Sequence, residues 1–341
     1  MHRVLALAAS LTAALLIPAA SAHHGFTAHF DPDQIIRIDG TVTQFDFINP
    51  HGFLHIDAID DDGNAVSYVC DLQARTQLAR RGVDETLFTV GEHIVVEGFP
   101  ARRDPYGCDF GTGYFDDGST FTMRSSDVGQ TQFAQNEIAE AARGGYRGVF
   151  GNWIRPTIYG ARGGMGMGSG TDSITETGLA ALAEYDPIED NPVNSCEPAS
   201  PIRTWGAPGL ATSIRQVNSE IIIYHESMDV TRRIQLTMDE HPADMVPSDM
   251  GHSIGRLEGG NLIIDTAGFS EGVIVGTTLN SDRMTMQERL SVDAQTGDLI
   301  VTWVIDEPVY YAEPITGSQT LQSTADTIIR YECIPNSYEQ H

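Results

Sequence analysis

Short runs of alternating apolar and polar residues, separated by turn residues, are the dominant feature of the sequence. In the first half, residues 36–42 and 52–59 alternate, and the acidic, glycine-containing run at 60–64 is typical of a hairpin turn. A short helix is predicted over residues 73–81. About five short strands with one small helix predict a compact OB-like β-barrel over residues 23–125.

The second half repeats this pattern at hairpin spacing. The turn sequences at 258–260 and 293–297 each separate two apolar runs, and a last strand is predicted at 327–333. About eight such strands predict a larger antiparallel, up-and-down β-barrel of the lipocalin-like kind over residues 186–341. Residues 126–185 are rich in glycine and in helix-forming residues, so they are predicted to be a short, partly helical connector. The predicted fold class is therefore all-β.

The first 22 residues have the parts of a signal peptide. Arg3 supplies the positive charge, residues 4–17 supply the apolar run, and Ala20-Ser21-Ala22 supplies the cleavage site. The apolar run is too short to cross a bilayer, and no transmembrane segment is predicted elsewhere. We therefore expect a periplasmic or secreted protein.

The cysteine content fits an oxidising compartment. Four cysteines predict two disulfides, and four cysteines can pair in three ways. Pairing within each half is the simplest arrangement, which joins Cys70 to Cys108 and Cys196 to Cys333. The sequence contains no CxxC pair, so a redox motif is not indicated.

The charge composition excludes several classes of function. The chain has 47 acidic and 20 basic residues, a formal net charge of -27, and every basic residue is arginine. The absence of lysine excludes a Schiff-base lysine and a Walker-type phosphate loop. The acidic excess argues against a nucleic-acid partner, which requires a dense cationic surface. It suits a well-solvated exported protein or one that handles cations.

Cleavage after Ala22 creates the sharpest candidate site in the sequence. The new first residue, His23, offers its α-amine and its imidazole to one metal ion, and the unperturbed amine pKa of about 8 lets a metal displace the proton. One further histidine would complete an all-nitrogen plane, which suits Cu(II). This arrangement resembles the histidine brace of copper polysaccharide monooxygenases and of some periplasmic copper carriers. The predicted metal ligands are His23, His24, His51 and His55, with His29 as a further candidate.

The order of motifs in this half resembles an uncharacterised family of exported bacterial proteins. Its members have a His-His mature N-terminus and an Asn-Pro-His motif, and the similarity covers about residues 20–125. The resemblance implies a small periplasmic β-barrel and brings no established activity. The second half resembles another uncharacterised exported type, often fused behind the first. The matching positions of the first half are His23, His24, Phe30, Asp31, Gly40, Thr41, Val42, Asn49, Pro50 and His51.

Polar residues in or beside apolar strands mark a second candidate site, in the larger barrel. An acid/base pair is possible there, with His252 beside either Asp265 or Glu288. Arginine–carboxylate pairs that only stabilise the barrel interior are the structural alternative. The candidate ligand-binding residues are Arg233, His241, His252, Asp265 and Glu288.

The sequence leaves three functional classes open. The first is a copper-binding protein, either a carrier or a redox enzyme. The second is a β-barrel module that binds a small molecule. The third is a structural or assembly protein that forms oligomers and has no catalytic activity.

Overall fold

The computed structural model describes residues 26–60, 62–123, 148–155 and 166–335. Over these residues the chain folds into two closed β-barrels, the first with five strands and the second with nine, and it has few helices. The predicted all-β class, with a small barrel followed by a larger one, is confirmed.

The first barrel has the strand order expected of an OB-like fold. Its elements are α1 (Phe26–His29), β1 (Ile36–Asp46), β2 (Gly52–Ile59), β3 (Ala65–Leu72), α2 (Arg75–Arg80), β4 (His93–Pro100), β5 (Gly107–Phe115) and β6 (Thr120–Thr122). The ring runs β1-β2-β3-β5-β4 and back to β1, and the pairing of β3 with β5 closes it. Strands β3 and β5 are parallel, and the other neighbours in the ring are antiparallel.

Period-two alternation and one glycine explain how this small barrel closes. Leu54, Ile56 and Ala58 are buried along β2, as expected when every second residue points to the core. Strand β1 must pair with both β2 and β4, and Gly40 lies where the two ladders overlap. A Cβ atom at Gly40 would lie 2.4 Å from the carbonyl oxygen of Asp57. Only glycine therefore permits this close approach of backbones.

Both disulfides form within the halves of the chain. Cys70 on β3 and Cys108 on β5 are bonded and lie directly opposite each other in the parallel ladder. This bond cross-links the seam that closes the first barrel. Cys196 and Cys333 are also bonded, and they join the start of the second region to the C-terminal segment.

The second barrel is a ring of nine strands. Its elements are β7 (Gly151–Ile154), β8 (Gly166–Met167), α3 (Glu176–Glu184), α4 (Pro201–Trp205), β9 (Ala211–Val217), β10 (Glu220–His225), β11 (Val230–Gln235), β12 (His252–Glu258), β13 (Asn261–Ala267), β14 (Gly272–Val275), β15 (Thr278–Asn280), β16 (Thr285–Val292), β17 (Leu299–Asp306) and β18 (Ile315–Ser323). Single 3₁₀ turns lie at Thr171–Ser173, Pro192–Ser195 and Ser227–Asp229. The ring runs β7-β9-β10-β11-β12-β13-β16-β17-β18 and returns to β7.

Three details of the second barrel differ from the sequence predictions. Strand β7 lies inside the predicted connector, yet it pairs with β9 and β18 and completes the ring. Strands β11 and β12 are parallel, because residues 236–251 cross from one to the other without forming a hairpin. The strand predicted at 327–333 is irregular. Strand β18 already has β7 and β17 as neighbours, so the closed ring offers this segment no edge there.

The two barrels contact each other through helix α2 and the C-terminal segment. Ala74, Leu210 and Tyr331 form a small buried apolar cluster between them. Beside this cluster, Arg80 of α2 forms a two-pronged ion pair with Glu226, the residue that follows β10. The junction therefore combines apolar contact with a buried charge pair.

Candidate functional site

His51 follows Asn49 and Pro50, which are joined by a cis peptide bond. Asn49 fixes the loop that carries His51. Asn49 is buried; its Nδ2 donates to Thr76 Oγ1 at 3.1 Å and to the carbonyl oxygen of Tyr331. Its Oδ1 accepts a hydrogen bond from the backbone N–H of Thr76 at 3.2 Å. His51 is therefore held at the junction of the two barrels, just before β2.

His51 is oriented by a buried carboxylate on β3. Its Nδ1 lies 2.9 Å from Oδ1 of Asp71, which is 6% exposed. Burial lowers the pKa of His51, but the charge and hydrogen bond of Asp71 raise it, helped by Asp109, and the net direction is upward. The Asp71 contact fixes Nδ1, so Nε2 is the nitrogen with which His51 could ligate a metal.

His29 lies in the same electrostatic environment, at the end of α1. Helix α1 is attached to the barrel by a 2.8 Å hydrogen bond from the backbone N–H of Arg102 to the carbonyl oxygen of His29. Burial lowers the pKa of His29, while Asp71 raises it and His51 lowers it. Two histidines and one carboxylate are thus close enough to influence one another's charge.

Of the other predicted metal ligands, only His55 can be placed relative to this group. His23 and His24 lie outside the described residues. His55 lies on β2 with its Nε2 2.9 Å from Oδ2 of Asp46, a different carboxylate from the one that His51 uses. Over the described residues, no group of three or more His, Cys, Asp or Glu side chains is arranged to hold a metal ion.

This geometry lies in the part of the chain that matches a protein-family model. Residues 12–108 match the model of a family of unknown function (DUF6152). The match includes Asn49, His51 and Asp71 and ends at Cys108, so it confirms the resemblance to an uncharacterised family over most of the first barrel. A comparison with curated proteins found no match. The DUF6152 match does not extend to the second barrel.

In the second barrel, the structure separates the predicted ligand-binding residues. Arg233 points outward, with its side chain 64% exposed and paired with Glu220. Asp265 also lies on the outer face, where it contacts Arg256 and Gln287. The prediction that these residues line one interior site is therefore wrong.

Glu288 is inside the barrel, and its partner is Arg232 rather than a histidine. The guanidinium of Arg232 donates to Oε1 at 3.1 Å and to Oε2 at 2.6 Å, and Trp205 Nε1 donates to Oε1 at 2.6 Å. Sequence reasoning selected the wrong arginine of the Arg232-Arg233 pair. The alternation on β11 could have identified the correct arginine. Val230 and Ile234 are buried, and they share a face of the strand with Arg232.

A buried histidine lies beside this ion pair. His225 packs edge-on against Trp205, with 4.6 Å between ring centroids, and its Nδ1 lies 2.8 Å from Thr212 Oγ1. Burial holds the pKa of His225 well below its ordinary value, and the charge of Arg232 lowers it further. The folded protein therefore keeps this imidazole neutral in mildly acidic solution.

The neutral state of His225 predicts a pH dependence of stability. The unfolded chain takes up a proton near pH 6.5 and the folded chain does not, so the free energy of unfolding falls as the pH drops below that value. Between pH 7 and pH 5 this contribution is at most about 2 kcal/mol. Urea unfolding of wild type and His225→Gln at several pH values measures it. The variant should show the shallower pH slope, and equal slopes would contradict the assignment.

His241 and His252 contact each other instead of a carboxylate. Their Nδ1 atoms are 2.9 Å apart, so the predicted acid/base pairing of His252 with Asp265 or Glu288 is not formed. Burial lowers the pKa of His241, and the neighbouring His252 lowers it as well.

Within the described ranges, no helix is both long and apolar enough to cross a membrane.

Proposed function

We propose that this chain is an exported, periplasmic copper-binding protein, with a carrier or redox role, whose site is completed by the mature N-terminus. The proposed ligands are the α-amine and imidazole of His23, together with His24 and His51. The observation that carries the proposal is the contact between His51 and the buried Asp71 at the junction of the barrels.

The chemistry of His51 supports this assignment. Metal-bound histidines commonly donate their second ring N–H to a carboxylate, which fixes the ring and increases its basicity. Asp71 occupies that position, and His29 lies within electrostatic influence of both residues. His55 is left out of the proposed set, because it contacts Asp46 rather than Asp71, the carboxylate that acts on both His51 and His29.

The attachment of α1 fixes the start of the described chain on the first barrel. The ring of Phe26 packs against Phe30 and Phe99, each at 5.5 Å between centroids, which anchors the first described residue to the barrel. An extended chain covers at most about 3.6 Å per residue, so the three residues from His23 to Phe26 can reach up to about 11 Å from this anchor. The two disulfides also fit export to an oxidising compartment.

Copper titration of correctly processed protein tests the proposal. We compare protein whose first residue is His23, verified by intact mass, with protein that retains Ala20-Ser21-Ala22. The three added residues move the free amine off the chelate ring, and they leave no histidine in the third position of the chain, where it would bind Cu(II) together with the new amine. We therefore expect Cu(II) affinity at this site to fall by about 100-fold or more. Asp71→Asn should weaken binding by about 10- to 100-fold through loss of the ring's carboxylate partner.

A matched histidine variant serves as the control for this titration. His55→Ala removes a histidine of the same strand region and should change Cu(II) affinity by less than about threefold, because His55 contacts Asp46 and not the carboxylate beside His51. Equal affinity of the two N-terminal forms would contradict the proposed function.

A further inference from the structure

A second pair of histidines lies far along the chain from the first barrel. His241 and His252 face each other through their Nδ1 atoms, 2.9 Å apart, with their ring planes at 80°. Both side chains are half-buried, so solvent and ions can reach them. Each belongs to the second barrel, outside the region that matches DUF6152.

The fold holds the two rings in place from opposite sides. His252 is the first residue of β12 and lies opposite Ala267 on β13. His241 lies on the 236–251 connection, which is fastened to the barrel where Ser248 bridges to Phe269. Gly251 has a φ of +61°, and a Cβ atom there would lie 2.8 Å from the carbonyl oxygen of Ala267. The connection can therefore lie close against β13 only because this residue is glycine.

The distance between the two Nδ1 atoms fits one metal coordination geometry better than another. An imidazole nitrogen binds a divalent transition metal at about 2.0–2.1 Å. Two nitrogens 2.9 Å apart then subtend about 90° at a shared ion. Tetrahedral coordination needs about 3.3 Å between the nitrogens at the same bond length, whereas 90° is the angle between neighbouring ligands in a square-planar or tetragonal ion such as Cu(II).

We propose that His241 and His252 form a second metal site, separate from the N-terminal one, that binds Cu(II) in preference to Zn(II). The two Nδ1 atoms are neighbouring ligands of the ion, and water molecules complete its coordination.

The test uses four proteins, so that the two copper sites are read separately. The chain either begins at His23 or retains Ala20-Ser21-Ala22, and residue 241 is either His or Asn. His241→Asn is preferred to a change at His252 because residue 241 lies outside the strands. Each protein is titrated with Cu(II) by calorimetry, and the bound copper is examined by electron paramagnetic resonance.

In protein that retains Ala20-Ser21-Ala22, we expect one bound Cu(II) whose spectrum shows coupling to imidazole nitrogen. His241→Asn should weaken this site by about 10- to 100-fold or more, and Zn(II) should bind more weakly than Cu(II) to the intact pair. His252→Ala should have the same effect as His241→Asn. His93→Ala, which removes an exposed histidine of the first barrel, should leave the site unchanged.

The inference is overturned if protein that retains Ala20-Ser21-Ala22 binds no Cu(II), or if its copper survives both His241→Asn and His252→Ala. In either case the 2.9 Å contact is a hydrogen bond between two imidazoles and nothing more. Failure of the N-terminal proposal gives a different result. The two N-terminal forms would then bind the same amount of copper as each other, both when residue 241 is His and when it is Asn.

Discussion

Arg232→Met is expected to lower the free energy of unfolding of the second barrel by about 3–5 kcal/mol. The side chains of Arg232 and Glu288 are 2% and 0% exposed, so the substitution leaves a carboxylate in the barrel interior without its counter-charge. Trp205 Nε1 still donates one hydrogen bond to that carboxylate, which is not enough to replace the guanidinium. Urea unfolding monitored by tryptophan fluorescence measures the loss.

The chain provides a matched control one residue away. Arg233 is the same residue type on the same strand, but it points outward and its pairing with Glu220 is solvent-exposed. Arg233→Met should therefore change the free energy of unfolding by less than about 1 kcal/mol. Losses of similar size in the two variants would show that the interior ion pair does not stabilise the barrel as argued.

A double variant separates the loss of a contact from the creation of an unpaired charge. Arg232→Met combined with Glu288→Gln removes both charges and keeps an oxygen that can accept the Trp205 hydrogen bond. Replacing both members of a buried pair is much less damaging than removing one. The double variant should therefore recover most of the stability that Arg232→Met loses. A double variant as unstable as the single one would indicate that packing of the arginine side chain is the larger effect.

The general architecture could be predicted from sequence because strand signals are local. The turn at 258–260 joins β12 to β13, and the turn at 293–297 joins β16 to β17, as their composition indicates. Strand β7 could not be recognised in the same way, because Gly151–Ile154 is four residues long and lies in a glycine-rich stretch. Its place in the ring depends on partners from β9 and β18, which are distant in sequence.

The site residues were harder to predict because side-chain partners depend on which face of a strand each residue occupies. An error of one residue between Arg232 and Arg233 exchanges the interior of the barrel for its surface. The His241–His252 contact depends on the path of a connection between parallel strands, which no local pattern specifies. The role of Asp71 depends on β3 lying beside β2, where register brings Asp71 opposite Phe53 and close to His51.

Contact between the barrels could not be read from the sequence at all. Glu226 is the centre of this contact, since it accepts hydrogen bonds from Arg80 at 2.7 and 2.8 Å. It also accepts the backbone N–H groups of Ala211 and Ile329, each at 2.7 Å. One carboxylate thus connects helix α2 of the first barrel, strand β9 of the second and the C-terminal segment.

Arg80→Met is expected to destabilise the second barrel by about 3–5 kcal/mol, although Arg80 belongs to the first. The side chain of Glu226 is 0% exposed. In the variant, its carboxylate keeps two backbone N–H donors but loses the guanidinium that pairs with it. All three tryptophans, Trp153, Trp205 and Trp303, lie in the second barrel or its α4 helix, so tryptophan fluorescence reports on that barrel alone. In urea, the fluorescence transition of the variant should move to lower denaturant concentration than that of wild type.

The control is another arginine that links the two regions of the chain. Arg103 pairs with Asp186 at 2.9 Å, but its side chain is 55% exposed, so Arg103→Met should shift the transition by less than about 1 kcal/mol. Far-ultraviolet circular dichroism follows both barrels and should coincide with fluorescence in wild type. Because Arg80→Met removes the charge that couples the barrels, the two transitions should separate in this variant. Coincident transitions in both proteins, with no shift in fluorescence, would mean that the barrels are joined by their apolar cluster and disulfide-linked segment instead.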